Sequence, residues 1–329
     1  MLVRLLNWLP AAVRAEPVVE PLAASGEGLT PLDPALPFTL ATWNIQYCGT
    51  RRHHYFYDGG PDTFPDPENV RDAIAAVRHA LAELSEQGLD FALLQEVDRG
   101  SARTGLVDQL QRLAEAWPAW VSTPYHRSAF VPHPMPPLRP LGRVDMHEAI
   151  LSRFKLGAAQ RIALPSLQES PLRQAFNLHR ALLVTTVPLT DGRRLHLGVT
   201  HLSAFSKGDG TMQRQIDAVR AWIAACGGEP FVLGGDFNLL PPGDDPARLG
   251  AAAVEYAEDV LGSLSDVAHR APQLGEHTYL PPGADRPDRT LDHFLYSPQL
   301  TLSHHRVVEV PAWLSDHWPL VATFTFAKR

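Results

Sequence analysis

Two periodicities alternate along this chain, and together they predict a mixed α/β architecture. Phe38 to Ile45 is apolar and β-prone and predicts a strand that ends at Asn44. Pro67 opens a helix that carries Val70, Ile74, Val77, Leu81 and Leu84 at helical spacing and stops at Gly88. Leu89 to Val97 predicts a second buried strand with Glu96 at its end, and Thr104 to Trp117 predicts a helix. Residues 122–143 hold six prolines and predict an irregular insertion, beyond which core-like sequence resumes at Ala149 to Leu151. Ala181 to Pro188 and Leu195 to His201 are strand-like and flank Thr190-Asp191-Gly192, a hairpin signal. Thr211 to Cys226 predicts a helix closed by Gly227-Gly228. Phe231 to Asp236, Leu291 to Tyr296, His305 to Val310 and Leu320 to Phe326 predict the remaining strands. Residues 16–37, rich in Pro, Ala and Gly, predict a tether, which divides the chain into an extension (1–37) and one domain (38–329).

Composition bounds this picture without changing it. The chain has 329 residues, of which 45% are hydrophobic and 20% charged, enough for a sizeable core. A net charge of −7 argues against a surface given over to nucleic acid, although a local basic groove is compatible with it. Two cysteines, Cys48 and Cys226, exclude a disulfide framework and are expected as free thiols. No apolar run is long enough for a membrane span. Met1 to Ala15 predicts a short amphipathic helix packed on the domain, which makes the expected compartment cytoplasmic. The alternative is a signal segment and a secreted or periplasmic protein. Leu5, Leu6, Trp8 and Leu9 would supply any weak membrane contact, and a monomer is expected.

Polar residues recur where the predicted strands end. The chain carries, in order, Thr42-Trp43-Asn44-Ile45, Gln95-Glu96-Val97, Thr200-His201-Leu202, Gly235-Asp236-Phe237-Asn238, Leu291-Asp292-His293 and Ser315-Asp316-His317. Carboxylates and amides are the oxygen donors a hard Mg²⁺ or Mn²⁺ ion takes, and histidines beside acids suit proton transfer to and from phosphate oxygens. Alternation along a strand would let Asp236 and Asn238 address one ligand.

This ordered set resembles the endonuclease/exonuclease/phosphatase superfamily, the deoxyribonuclease I-like group, from about residue 38 to 326. The resemblance implies a four-layer α/β sandwich, two packed and mostly antiparallel sheets flanked by helices. It also implies metal ligation by Glu96, Asn44 and Asp316, with Asp236 aligning or deprotonating the attacking water and Asn238 holding nucleophile or phosphate. His317 would contact the scissile phosphate with Asp292 fixing its tautomer, and His201 would donate to a phosphate oxygen. Either Asp236 or His317 would be the base. The implied activity is a divalent-metal-dependent phosphoester hydrolase, foremost a phosphodiesterase working by in-line attack of water. The alternatives are a nuclease on DNA or RNA, a sphingomyelinase-like lipid phosphodiesterase, or an inactive phospho-ligand-binding protein.

Substrate choice falls to loops around the common floor. Residues 49–66 bring Arg51, Arg52 and Tyr55, and residues 122–148 end in Met146-His147-Glu148, where many family members have Gly-Asn. His147 is therefore a candidate substrate contact. Arg180, just before the strand at Ala181, is expected to pair structurally with an acid. The partner implied is a phosphodiester in a small molecule, a lipid head group or a nucleic acid.

Overall fold

The computed structural model describes residues 19–26, 28–50, 64–132, 139–204, 208–256 and 259–327. Along the chain the strands are β1 (Val19–Leu22), β2 (Phe38–Asn44), β3 (Phe91–Asp98), β4 (Ala119–Val131), β5 (Gly142–Ser152), β6 (Ala159–Ala163) and β7 (Ala181–Pro188). They continue as β8 (Arg194–His201), β9 (Phe231–Asp236), β10 (His269–Ala271), β11 (Asp292–Tyr296), β12 (Leu300–Val307) and β13 (Leu320–Phe326). The helices are α1 (Pro67–Glu86), α2 (Gln109–Leu113), α3 (Pro171–Gln174) and α4 (Thr211–Ala225). None is long and apolar enough to cross a membrane.

The strands form a seven-stranded sheet, β1-β6-β7-β8-β9-β11-β10, and a six-stranded sheet, β12-β13-β2-β3-β5-β4. Among the described strands each sheet contains a single parallel pair, β2 with β3 and β8 with β9, and the other strand pairs are antiparallel. A parallel pair needs a crossover, and the two long helices supply it, α1 between β2 and β3 and α4 between β8 and β9. Asp66 caps α1 by accepting the Glu68 N–H at 2.7 Å, with Pro67 in the first turn.

Apolar side chains separate into three layers of packing. Leu40, Phe91, Leu93, Leu197, Val199, Val232, Phe294 and Phe324 fill the space between the sheets. Val70, Ile74, Val77 and Leu81 of α1 pack on Ala41, Trp43, Leu94 and Leu151, while Met212, Ile216, Val219 and Trp222 of α4 pack on Leu182, Val184 and Leu233. The order is helix, sheet, sheet, helix, the four-layer sandwich expected from the sequence. The central strands are buried on both faces, which is why they read as near-continuous apolar runs.

The structure departs from the sequence reading in places with identifiable causes. Within residues 122–143, expected as an irregular insertion, the segments 122–131 and 142–143 are strand instead, part of the antiparallel pair β4/β5. Pro124, the proline that falls within β4, is tolerated because β4 is the outermost strand, where a missing N–H breaks no ladder, and the register shifts beside it. The helix expected over Thr104 to Trp117 is broken into short turns, with Gly105 left-handed (φ 72°) and a fresh start capped by Asp108. Residues 19–22, within the segment read as a tether, pair with β6 as an edge strand, and Leu32 is buried in the inter-sheet core. Cys48 and Cys226 are free and buried.

The His126 imidazole is pushed down to about 3 by burial, and by Arg103, His179 and Arg180, while its Nε2 faces the Phe176 carbonyl at 3.0 Å. An unfolded histidine takes up a proton near pH 6.5, so between that pH and about 3 the unfolded chain binds a proton that the folded chain refuses. Stability carried by His126 is therefore lost as pH falls, at about 1.4 kcal/mol per unit. Denaturant melts of wild type and His126→Gln at several pH values should show the stability difference shifting by that slope below pH 6.5. A pH-independent difference would refute the assignment.

Candidate active site

The topology gathers the strand-end residues at one edge of the sandwich. Asn44 and Glu96 lie near the C-terminal ends of the parallel pair β2/β3, and His201 and Asp236 end the parallel pair β8/β9. Asp292 starts β11 directly opposite Asp236, because β11 runs antiparallel to β9. The segment before β13 reaches the same edge for the same reason, since Leu320 pairs with Thr42. It is fastened to β2: Ser315 Oγ donates to the Asn44 carbonyl at 2.8 Å, and Trp43 Nε1 donates to the His317 carbonyl at 3.0 Å.

Strand alternation explains the aim of most of these side chains. Asn44, His201, Asp236 and Asp292 share parity with Leu40, Val199, Val232 and Phe294, which face the space between the sheets. Glu96 does not, for its strand neighbours Leu94 and Ala92 face α1. A bulge corrects this. Leu94 pairs with Ala149 but Val97 pairs with His147, so two residues of β3 oppose one of β5 and Glu96 takes a positive φ of 58°. That left-handed backbone is costly outside glycine and turns the carboxylate into the site. Asn238 likewise owes its place to a turn (φ 49°) beyond the end of β9; its N–H donates to Asp236 Oδ1 at 3.0 Å and its Nδ2 to the Leu202 carbonyl at 3.1 Å.

Asp236 is the hub. Its Oδ2 accepts from Asn44 Nδ2 at 3.1 Å and lies 3.2 Å from His201 Nε2 and 3.5 Å from His317 Nε2. Asn44 Nδ2 also reaches Glu96 Oε1 at 3.2 Å. His317 Nδ1 donates to Asp292 Oδ2 at 2.7 Å, and its ring meets Tyr279 edge to face at 5.1 Å. Gln46 links the two halves: its N–H donates to Asn44 Oδ1 at 3.0 Å and its Oε1 accepts the Asp316 N–H at 3.2 Å.

Burial sets the charges. Burial favours the neutral form of Asp236, which rises to about 6 with Asp292 adding to the shift and His317 opposing it. Asp316 rises to about 6 through burial, with His317 opposing and the neighbouring Glu96 charge adding to the shift; Glu96 is itself raised by burial against the charges of Arg103 and Arg180. Burial opposes a charge on His317, but Asp292, Asp236 and Asp316 overcome it and hold the ring well above the usual histidine range, as imidazolium. His201 is the reverse case, held neutral by burial and by the positive charges of Arg180 and His317. Its single proton sits on Nε2, facing the Asp236 carboxylate, and its Nδ1 accepts from the Tyr125 hydroxyl at 3.3 Å.

Two sets of groups could hold a cation. Asp236, Asp292 and His317 offer ligand atoms within 4.8 Å of one another, but the His317 imidazolium already compensates those carboxylates. Glu96 and Asp316 are neighbouring carboxyls, each raised by burial in spite of the positive charges around them, with the Asn44 amide beside Glu96. The two carboxyls are oxygen donors of the kind a hard divalent ion takes, and Asn44 would add its Oδ1, the atom that here accepts the Gln46 N–H.

His147, expected to touch substrate, lies on the opposite face of β5. Its ring contacts Asp145 at 2.9 Å, Ser122 at 3.2 Å and Arg127 at 3.3 Å. The adjoining Glu148 turns inward instead and accepts the His201 N–H at 2.9 Å. No sequence signal marked Gln46 or Tyr279 as site residues, because their roles depend on how distant segments pack together. Arg51, Arg52 and Tyr55 lie outside the described residues, as do Leu5, Leu6, Trp8 and Leu9.

The signature of the Endonuclease/Exonuclease/phosphatase family matches residues 41–317. No curated protein matches the chain. Among solved structures, it is similar to an endonuclease/exonuclease/phosphatase from Beutenbergia cavernae DSM 12333 (20% identity, TM-score 0.57, covering 88% of this chain and 72% of that one). It is similar to D. rerio TDP2 complexed with single-strand DNA product (18% identity, TM-score 0.52, 88% and 99%). A third likeness is to the Bacteroides thetaiotaomicron VPI-5482 mannosyl-6-phosphatase Bt3783 (14% identity, TM-score 0.56, 88% and 100%). These likenesses concern the fold.

Proposed function

The chain belongs to the Endonuclease/Exonuclease/phosphatase family, and from that premise we propose that it is a divalent-metal-dependent phosphodiesterase. The observation that carries the reading is the convergence of Asn44, His201 and His317 on Asp236 Oδ2, beside the Glu96 and Asp316 carboxyls. Glu96, Asp316 and Asn44 would hold Mg²⁺ or Mn²⁺. When bound, such an ion supplies Lewis acidity at a phosphoryl oxygen.

The rest of the chemistry falls to the chain's own residues. His317 carries a proton on each ring nitrogen, and Asp292 holds one of them at 2.7 Å. It therefore serves as a donor to phosphate rather than as the base. Asp236 has the matching role: a carboxylate raised to about 6 takes a proton from water more readily than an ordinary one. Asn238, tied to Asp236 through its backbone, is placed to orient the water or the phosphate. The family holds both monoesterases and diesterases. The similar structures include a mannosyl-6-phosphatase and a protein holding a single-strand DNA product.

Hydrolysis of bis-p-nitrophenyl phosphate tests the proposal. Activity should require Mg²⁺ or Mn²⁺, fall by on the order of 10³-fold in EDTA, and return on re-addition of the ion. Absence of turnover on this diester and on p-nitrophenyl phosphate with either ion would overturn it.

A further inference from the structure

Of the buried arginines among the described residues, Arg103, Arg180 and Arg289, two are spoken for. Arg103 meets Asp98 through Nε at 3.0 Å and Nη2 at 3.1 Å, and Arg289 meets Asp288 at 2.7 Å. Arg180 is different. It is 3% exposed, it has no carboxylate within 4.0 Å among the described residues, and its Nε and Nη1 have no hydrogen-bond partner. The structural pairing with an acid expected from the sequence is not there.

Its position gives this a meaning. The guanidinium carbon lies 5.2 Å from the centre of the Tyr125 ring, and the Tyr125 hydroxyl touches His201. Through Tyr125, Arg180 thus lies one side chain away from His201, and its charge acts on Glu96, Glu148 and His201. A buried cation with two unpartnered nitrogens and no carboxylate in ion-pair contact is destabilising, by up to several kcal/mol, and an anion in the working state would relieve this. Glu148 does not serve: one oxygen accepts the His201 N–H, the other is unpartnered, and burial drives the carboxyl well towards its neutral form. His201 does not supply the missing positive charge either, being neutral with its proton turned to Asp236.

We propose that Arg180, carried on the ring of Tyr125, is a phosphate-binding residue that receives a non-bridging oxygen of the substrate. A guanidinium suits this role because its fixed fork of N–H donors matches phosphate oxygens. The proposal rests on the phosphoester reading above, but the two are separable by experiment.

The probe is inorganic phosphate, added to the full chain in Mg²⁺ and followed by thermal shift and by competition with bis-p-nitrophenyl phosphate. In wild type, phosphate should raise Tm in a concentration-dependent way. Arg180→Met should leave the ligand-free Tm unchanged or higher, because it removes an unpaired buried charge. It should weaken phosphate on the order of tenfold to a hundredfold and raise KM for the diester similarly. Arg127→Gln, which removes an exposed charge on the outer face of the sheet, controls for general electrostatics. A lowered ligand-free Tm with unchanged phosphate affinity would mean a purely structural arginine and overturn the proposal. Should the methionine variant fail to fold, Arg180→Lys, with charge kept and fork lost, should still show weakened phosphate; wild-type affinity there would overturn it. Phosphate bound through Arg180 without ester turnover would uphold this site while removing the hydrolase reading. Turnover and KM indifferent to Arg180→Met would do the opposite.

Discussion

Asp236→Asn is expected to lower kcat by on the order of 10³-fold or more while KM for a small diester changes little. The substitution keeps the shape of the side chain and removes the one group placed to take a proton. The carboxylate accepts on both oxygens, from the Asn238 N–H on one side and from Asn44 and His201 on the other. An amide accepts on one side only, so one donor set loses its partner, at about 1–3 kcal/mol. Removal of a buried negative charge offsets part of that. The folded state should therefore survive, and a thermal melt run beside the kinetics separates lost chemistry from lost structure. A folded variant with wild-type kcat would remove Asp236 from the reaction.

Gly235→Ala should abolish the site by a different route. A Cβ at this position would lie 1.9 Å from the Thr200 carbonyl oxygen and 2.9 Å from its carbon. Both are backbone atoms of β8, paired in parallel register with β9, so no side-chain rotation relieves the contact. The strands would have to separate, and they are the ones that carry His201 and Asp236. A loss above about 4 kcal/mol follows, with little folded protein recovered. Gly234→Ala is the comparison. Its added carbon meets the side chains of Phe294 and Leu93 at 2.7 and 2.8 Å, which can shift, and about 1–3 kcal/mol is expected. Circular dichroism melts of the two variants check the contrast. Equal stabilities would contradict the close approach of β8 and β9.

Much of this architecture is written locally. Pro67 after Asp66 and the spacing from Val70 to Leu84 suffice for α1, and Asp191-Gly192 suffices for the turn between β7 and β8. The runs ending at Asn44, His201 and Asp236 are strands because they are apolar and β-prone, and their polar ends stand out by contrast. Where local rules misled, a neighbour was responsible. The prolines of residues 122–143 speak against a strand in isolation, yet the edge strand β4 accepts Pro124 beside a register shift.

The sequence by itself therefore determined the residue types of the site and their order along the chain: acids, amides and histidines at strand ends. Only the tertiary structure decided where several of them point. Strand side chains alternate, so a slip of one residue moves a group to the opposite face. The bulge after Leu94 brings Glu96 to Asn44, while the register of β5 sends His147 outward and Glu148 inward. Arg180 stands alone for the same reason. Whether a buried charge meets a partner depends on which distant strands pack beside it, and that is fixed by the assembled sheets rather than by any stretch of sequence.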